Sequence, residues 1–151
     1  EFFDFSCGYC RRTMPIVHDL VQRRPDIKIV LRQFPVISPD SAKVAAIALA
    51  LKNQDLDMDF FVAASDFKGP ITPTAALLIA ENTGADMARL MRDRDGDPVL
   101  DQIRSDLNIG QSIGVSATPA WILGNRHLSG IIAPEHLERE LDLIAPASPS
   151  Q

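Results

Sequence analysis

The sequence predicts an α/β fold in which a helical segment interrupts a small sheet. A strand, a helix and a strand follow one another in residues 1–34, residues 40–93 form helix after helix, and a hairpin and a final helix follow later. With 151 residues, 46% of them hydrophobic, the chain can bury one substantial core. We expect one domain over residues 1–144, with the helical insertion at about 40–93, and a disordered tail at 145–151.

The first unit of the predicted fold is strand, helix, strand. Residues 1–5 are rich in aromatic side chains and predict a short strand, and apolar residues recur with the helical period between residues 8 and 23. Pro15 lies inside that helix and predicts a kink, because proline removes an amide donor. Residues 27–34 alternate in polarity and predict a second strand, which the helical crossover makes parallel to the first.

The middle of the chain predicts a run of helices. A nearly uniform apolar stretch from Val44 to Leu51 predicts a helix that is buried on most sides, and Asp40 or Ser41 can cap it. Proline in the first turn and glycine or proline after the last turn delimit the helices that follow. They begin near residues 56, 73, 86 and 97.

The end of the chain switches to the period of a strand. Residues 120–123 form a short apolar strand, Gly124-Asn125 is a strong hairpin signal, and residues 126–129 return as the second strand. Pro134 then begins an amphipathic helix, in which apolar residues share one face.

The charge of the chain narrows its possible partners. The net charge is -5, the estimated pI is near 5.1, and the basic residues are scattered, which argues against a nucleic-acid or anionic-membrane surface. No run of about 18 apolar residues indicates membrane insertion. Proteins or small molecules are the partners that this composition favours.

The two cysteines of the chain, Cys7 and Cys10, lie where the first strand turns into the first helix. Unpaired amides of the first helical turn and the positive end of the helix dipole favour a thiolate at Cys7. We expect Cys7 to be the exposed nucleophile and Cys10, one turn further along, to be its shielded partner. The loop between them is too short to stabilise a fold of this size, so the pair predicts a reactive site.

Metal binding is the alternative interpretation of the cysteine pair. A structural zinc site needs four ligands, and the three histidines of the chain, His18, His127 and His136, form no second close pair. We therefore expect no zinc site and no cofactor. Binding of a soft ion such as Cu(I) to the two thiolates remains an alternative.

Four motifs in order carry a resemblance to a known family. Glu1 stands six residues before Cys7, Pro15 five residues after Cys10, and Ala117-Thr118-Pro119 just before the hairpin. With the Cys-Gly-Tyr-Cys motif, these residues resemble the thioredoxin superfamily, and more closely its DsbA-like branch. In that branch a helical domain interrupts a thioredoxin-like fold.

The resemblance implies roles for residues that are distant in sequence. It implies a cis peptide between Thr118 and Pro119, beside the two sulfurs, with the Thr118 backbone pairing with an extended substrate strand. It implies that Glu1 is a buried acid that assists proton movement at Cys10. The strand that precedes this acid in the family is missing before Glu1, and an oligomerisation segment, if one exists, would also lie among those missing residues.

The resemblance also implies an activity. Gly8-Tyr9 between the cysteines, which tunes the redox chemistry, and Thr118 before the proline are similar to disulfide isomerases, whereas the strongest oxidases carry Pro-His. We therefore expect a thiol-disulfide oxidoreductase that isomerises or reduces protein disulfides, with a dithiol oxidase and a copper-binding or chaperone module as alternatives. Protein substrates with thiols or disulfides, a membrane redox partner that resets the pair, and a periplasmic location follow from the resemblance.

Overall fold

The computed structural model describes residues 1–144, and the tail predicted to be disordered, 145–151, lies outside the described residues. The sheet has four strands in the order β2-β1-β3-β4, with β1 and β2 parallel and the other neighbours antiparallel. The strands are β1 (Phe2–Phe3), β2 (Arg32–Gln33), β3 (Ala120–Leu123) and β4 (Arg126–Ser129). The central strand β1 leads directly to the two cysteines.

Seven α-helices surround this sheet in the described part of the chain. They are α1 (Gly8–Arg23), α2 (Ser41–Leu51), α3 (Asp57–Asp66), α4 (Pro73–Asn82), α5 (Met87–Asp93), α6 (Asp97–Ser112) and α7 (Pro134–Ile144), and a 3₁₀ turn (Lys52–Gln54) follows α2. The order of elements confirms the predicted α/β fold with inserted helices.

Capping residues account for several helix starts. The Thr72 hydroxyl accepts a hydrogen bond from the Ala75 amide at 3.1 Å, and the Asp86 carboxylate accepts one from Arg89 at 3.0 Å. Asp40 stands at the N-cap of α2 without such a bond, whereas Ser41 accepts a bond from the Ser38 amide at 3.0 Å. The N-cap residues Thr72 and Asp86 thus mark where α4 and α5 begin.

Helix α2 is the centre of the inserted helices, as its apolar sequence predicts. It packs against α3, α4, α5 and α6. Its buried residues include Val44, Ile47 and Leu51, none of which is accessible to solvent. Helix α1 buries Met14, Val17 and Leu20 in the same core and packs against α3, so the reactive segment is fixed to the insertion as well as to the sheet.

The strand predicted over residues 27–34 is wrong in extent, because only Arg32–Gln33 form ladder pairs. Its neighbour β1 also contributes only two residues, so the pairing cannot extend further. The alternation is nevertheless real: Ile27, Ile29 and Leu31 pack against the core, and the residues between them are more exposed. Helix α1 is continuous through Pro15.

A buried carboxylate fastens β2 to α6. Asp106 accepts hydrogen bonds from the Gln33 amide at 2.9 Å, from Gln102 at 2.8 Å and from the Arg32 guanidinium at 2.9 Å. Both oxygens of the Asp106 carboxylate accept hydrogen bonds, and this offsets the free-energy cost of removing the carboxylate from water. One turn further along the same face of α6, Gly110 lies directly against the rings of Phe2 and Phe34.

Candidate active site

The two cysteines occupy the junction between the end of the β1 segment and the start of α1. Cys7 is the N-cap of α1, and its sulfur accepts a hydrogen bond from the Cys10 amide at 3.4 Å. Both side chains are thiols. The local sequence achieves this because Asp4 and the residues after it turn the chain, and the Cys7 amide donates to the Asp4 carbonyl at 3.0 Å.

Both thiols are buried, which corrects the expectation that Cys7 is exposed. Cys7 is 4% exposed and Cys10 is 0% exposed. Cys7 is covered because its thiol donates a hydrogen bond to the Thr118 carbonyl at 3.4 Å, which brings together residues 111 positions apart.

The loop before β3 supplies the other half of the site. The Thr118–Pro119 peptide bond is cis, and the Pro119 carbonyl accepts the Gly130 amide at 2.8 Å at the end of the hairpin. The Thr118 hydroxyl is buried without a hydrogen-bond partner among residues 1–144. A buried hydroxyl with a spare proton is a donor for charge that forms beside it.

Burial raises the pKa of the Cys10 thiol far above its usual range, because a thiolate there would be desolvated. The Asp4 amide and the Thr118 hydroxyl act in the opposite direction and favour the thiolate, but more weakly. The Asp4 amide approaches the Cys10 sulfur at 3.5 Å. Cys10 is therefore a protonated thiol at neutral pH and needs help to become a nucleophile.

Glu1 lies close to helix α1, where its carboxyl group contacts Thr13. Burial raises the pKa of its carboxyl from 4.5 to about 7, and a hydrogen bond from the Thr13 hydroxyl only partly offsets this. Thr13 Oγ1 lies 3.0 Å from Glu1 Oε1 and 2.7 Å from the Cys10 carbonyl. Thr13 has one proton to donate, so at any one time its hydroxyl donates either to the Glu1 carboxylate or to the Cys10 carbonyl.

The raised pKa of Glu1 predicts a stability that falls with pH. The folded protein holds this proton more tightly than the unfolded chain, so the stabilisation is complete below about pH 4.5 and is lost as the pH rises through 7. We expect a decrease of roughly 1–2 kcal/mol, reduced by solvent near this partly exposed residue. Urea unfolding of wild type and Glu1→Gln between pH 4.5 and 8 measures it, and a constant difference between the two would contradict the assignment.

Tyr9 and Gly8 face outward from the helix start. Tyr9 is 58% exposed, and the Arg12 guanidinium lies 4.6 Å from the centre of its ring, in cation–π geometry. A methyl group at Gly8 would meet no atom within 4 Å. Both residues are therefore available to solvent and to a bound substrate.

Arg11 connects the reactive helix to the inserted helices. Its two terminal nitrogens donate to the carbonyls of Phe67 and Gly69 in the loop between α3 and α4. The sequence gives no sign of this contact, because the acceptors are main-chain atoms of a distant loop. Asp4 and Thr13 were missed for a similar reason, although a lone aspartate among aromatic residues is a signal that a buried carboxylate needs donors.

Metal ligands do not cluster at this site. Across residues 1–144, no group of three or more His, Cys, Asp and Glu side chains is close enough to hold a metal ion. His18 is partly buried on α1, and His127 and His136 lie on β4 and α7. In the same described range, no helix combines the length and the apolar character that crossing a membrane requires.

The fold and the dithiol at the start of α1 define the class of thioredoxin-like thiol-disulfide oxidoreductases. The sequence profile of the DSBA-like thioredoxin domain matches residues 1–142, and the chain belongs to this family. A thioredoxin-like oxidoreductase from Silicibacter pomeroyi is 31% identical, with a TM-score of 0.90 over 95% of this chain and 83% of that one.

Other solved structures share the architecture. The thiol-disulfide exchange protein alpha-DsbA2 from Wolbachia pipientis is 27% identical, with a TM-score of 0.85 over 94% of this chain and 78% of that one. A periplasmic thioredoxin-like protein from Salmonella enterica serovar Typhimurium is 23% identical, with a TM-score of 0.85 over 95% of this chain and 81% of that one, and supports the fold alone.

Curated relatives include much longer proteins. A Na(+)/H(+) antiporter NhaA from Herminiimonas arsenicoxydans is 25% identical over 131 residues, which are 86% of this chain and 21% of that protein. The antiporter NhaA 1 from Salinispora arenicola is 28% identical over 133 residues, 84% of this chain and 20% of that protein. The chain spans about a fifth of the length of these relatives.

Proposed function

We propose that this protein exchanges disulfides in protein substrates, as an isomerase or reductase, with Cys7 as the attacking sulfur. The observation that carries this proposal is the placement of Cys7 at the N-terminus of α1, where its sulfur meets both the Cys10 amide and the Thr118 carbonyl. The amide favours negative charge on Cys7. The carbonyl marks a stretch of backbone beside which an extended substrate can lie.

The first step forms a mixed disulfide. The Cys7 thiolate attacks one sulfur of a substrate disulfide, a bond forms between Cys7 and that sulfur, and the other substrate sulfur leaves as a thiolate. Backbone pairing between Thr118 and the substrate holds the attacked sulfur in line with Cys7. Pro119 fixes the direction of this backbone segment.

The mixed disulfide has two fates. If another thiolate of the substrate attacks, Cys7 is released and the substrate disulfide is rearranged, with no net oxidation. If Cys10 loses its proton and attacks Cys7, the substrate leaves as a dithiol and the protein is left with a Cys7–Cys10 disulfide. Glu1, whose pKa is about 7, is the group that we assign to proton movement at Cys10.

The proposal also needs a redox partner that regenerates the Cys7–Cys10 pair after it has reacted. The Cys7–Cys10 disulfide left by the reductive fate must be reduced to the dithiol again, and we assign that step to a membrane redox partner whose own thiol pair becomes oxidised in exchange. A periplasmic site of action fits a redox-active pair, because disulfides form and persist in oxidising compartments.

Refolding of a disulfide-scrambled protein tests the enzyme assignment. We expect Cys7→Ala to reduce the rate to that of the uncatalysed reaction, because no other sulfur can form the mixed disulfide at this position. Val17→Ala, at a buried residue of the same helix, is the matched control and keeps the activity. Full activity in Cys7→Ala would rule out the enzyme and leave Cu(I) binding by thiols as the alternative to examine.

In this proposal, the residues between the cysteines set the reduction potential of the pair, and so decide whether it oxidises or reduces a substrate. Replacing Gly8-Tyr9 with Pro-His should make the protein a stronger oxidant by at least ~30 mV, a tenfold change in the exchange equilibrium. Proline suits the first position of α1, and a side chain at Gly8 meets open space, so the variant keeps its fold. An unchanged potential in glutathione buffers would contradict a tuning role for these two residues.

A further inference from the structure

Asp4 is a buried carboxylate beside the reactive pair. The residue is 2% exposed, and both carboxylate oxygens accept main-chain hydrogen bonds. The Ser6 amide donates to Oδ1 at 2.8 Å, and the amides of Val36 and Ile37 donate to Oδ2 at 3.0 and 2.9 Å. The side chain thus joins the turn before Cys7 to the loop between β2 and α2.

The main chain of Asp4 contacts both cysteines. Its amide points at the Cys10 sulfur at 3.5 Å, and its carbonyl accepts the Cys7 amide at 3.0 Å. The three bonds to the carboxylate hold this peptide segment in place, so they fix the direction in which the amide points. A hydrogen bond weakens steeply as the N–H turns away from its acceptor, so the direction of the amide matters for its contact with the sulfur.

We propose that Asp4 is a positioning residue whose carboxylate holds its own amide against the Cys10 sulfur and so promotes the step in which Cys10 attacks the mixed disulfide. The inference rests on the proposed exchange function and adds to it a residue outside the Cys-x-x-Cys motif. Cys10 is buried and protonated, so a fixed donor at its sulfur favours the thiolate that this step consumes.

The bonding pattern uses both oxygens of the Asp4 side chain as acceptors. Three amides donate to Asp4, and each of its oxygens takes part. Asparagine has nearly the same shape but replaces one oxygen by an NH2 group, which faces an amide donor in either orientation. Asp4→Asn therefore weakens the three main-chain hydrogen bonds to this side chain with little change in its volume, so the effect of the variant reports on those hydrogen bonds.

The chain offers a matched control for this change. Asp106 is 1% exposed and accepts three hydrogen bonds, one of them from the Gln33 amide, but it lies between β2 and α6. Asp106→Asn also removes an acceptor from a buried carboxylate. A purely structural role for Asp4 predicts that the two variants behave alike.

The test mixes each reduced variant with a peptide disulfide and follows the mixed disulfide by acid quenching and mass spectrometry. We expect Asp4→Asn to slow the Cys10 attack about tenfold, since one unit of added thiol pKa removes most of the thiolate. Formation of the mixed disulfide changes less than threefold. Asp106→Asn keeps both rates, and equal rates in wild type and Asp4→Asn would overturn the proposal.

Amide hydrogen exchange supplies a readout that does not depend on activity. We expect faster exchange at residue 4, Val36 and Ile37 in Asp4→Asn, and no such change in Asp106→Asn. If wild type formed no mixed disulfide but these amides responded, the function would be wrong and the positioning role would stand. Unaltered exchange at residue 4 overturns the role. If Asp4→Asn does not fold, Asp4→Ser, which keeps one acceptor, takes its place.

Discussion

Replacing Cys10 by alanine is expected to trap the protein on its substrate. The Cys7 thiolate still attacks a disulfide, but the protein has lost its own resolving sulfur, so the mixed disulfide persists until a thiol of the substrate or of the solution attacks it. The structure supports this division of roles, because Cys10 is completely buried and Cys7 lies at the helix N-terminus next to Thr118. We expect the lifetime of the mixed disulfide to increase at least a hundredfold, since intramolecular attack has a high effective concentration.

Non-reducing mass spectrometry of Cys10→Ala with a peptide disulfide measures this lifetime. The adduct should map to Cys7, and dithiothreitol should remove it. Cys7→Ala provides the control, because its remaining thiol is inaccessible and should form no adduct. An adduct that decays at the wild-type rate in Cys10→Ala would show that Cys10 does not resolve it.

Gly110→Leu is expected to cause the largest loss of stability. A Cβ atom at Gly110 would lie 2.6 Å from Cε2 of Phe34 and 3.1 Å from Cε1 of Phe2. These two rings pack edge to face with centroids 5.8 Å apart and form a small buried cluster with Val115 and Ala120, so neither ring can move without opening that cluster. We expect the free energy of unfolding to fall by about 3 kcal/mol or more, as overpacking strains a filled site.

Urea unfolding with Gln111→Leu as the control measures this effect. Gln111 is the next residue of α6 and is exposed, so leucine there keeps the helix propensity and adds no clash. Gly110→Ala should give a smaller loss in the same direction, which keeps the test informative if the leucine variant does not fold. A Gly110→Ala protein as stable as wild type would contradict the packing described for β1.

The order of the elements could be predicted because each rests on local chemistry. Prolines in the first turns of α4, α6 and α7 and the caps Thr72 and Asp86 are readable without tertiary information. The Gly124-Asn125 turn likewise places both strands of the hairpin, and Gly124 adopts a φ of 59° that favours glycine. Local signals therefore determine the sequence of helices and strands.

Strand lengths could not be predicted in the same way. Residues 27–34 have the right alternation, but ladder pairing also needs a neighbour, and β1 offers only Phe2 and Phe3. Pairing is a tertiary property, which periodicity does not encode. The prediction therefore identified the buried face of this segment and overestimated the strand.

The position of the two cysteines at the start of α1 could be predicted from sequence, whereas their surroundings could not. A Cys-x-x-Cys at a strand-to-helix junction already indicates redox chemistry, and only the family resemblance pairs it with Thr118. Asp4 and Thr13 act through main-chain amides and carbonyls that the fold brings near. Such contacts leave no periodic trace in the sequence.

Equilibration with glutathione tests the central claim most directly, which is that Cys7 and Cys10 form a reversible redox pair. The wild-type protein is incubated across a range of ratios of reduced to oxidised glutathione and quenched with acid, and its mass is measured by mass spectrometry. We predict two species, the dithiol and a form lighter by about two mass units, related by a two-electron equilibrium. A stable glutathione adduct in place of the internal disulfide, or no oxidation at any ratio, would contradict the account.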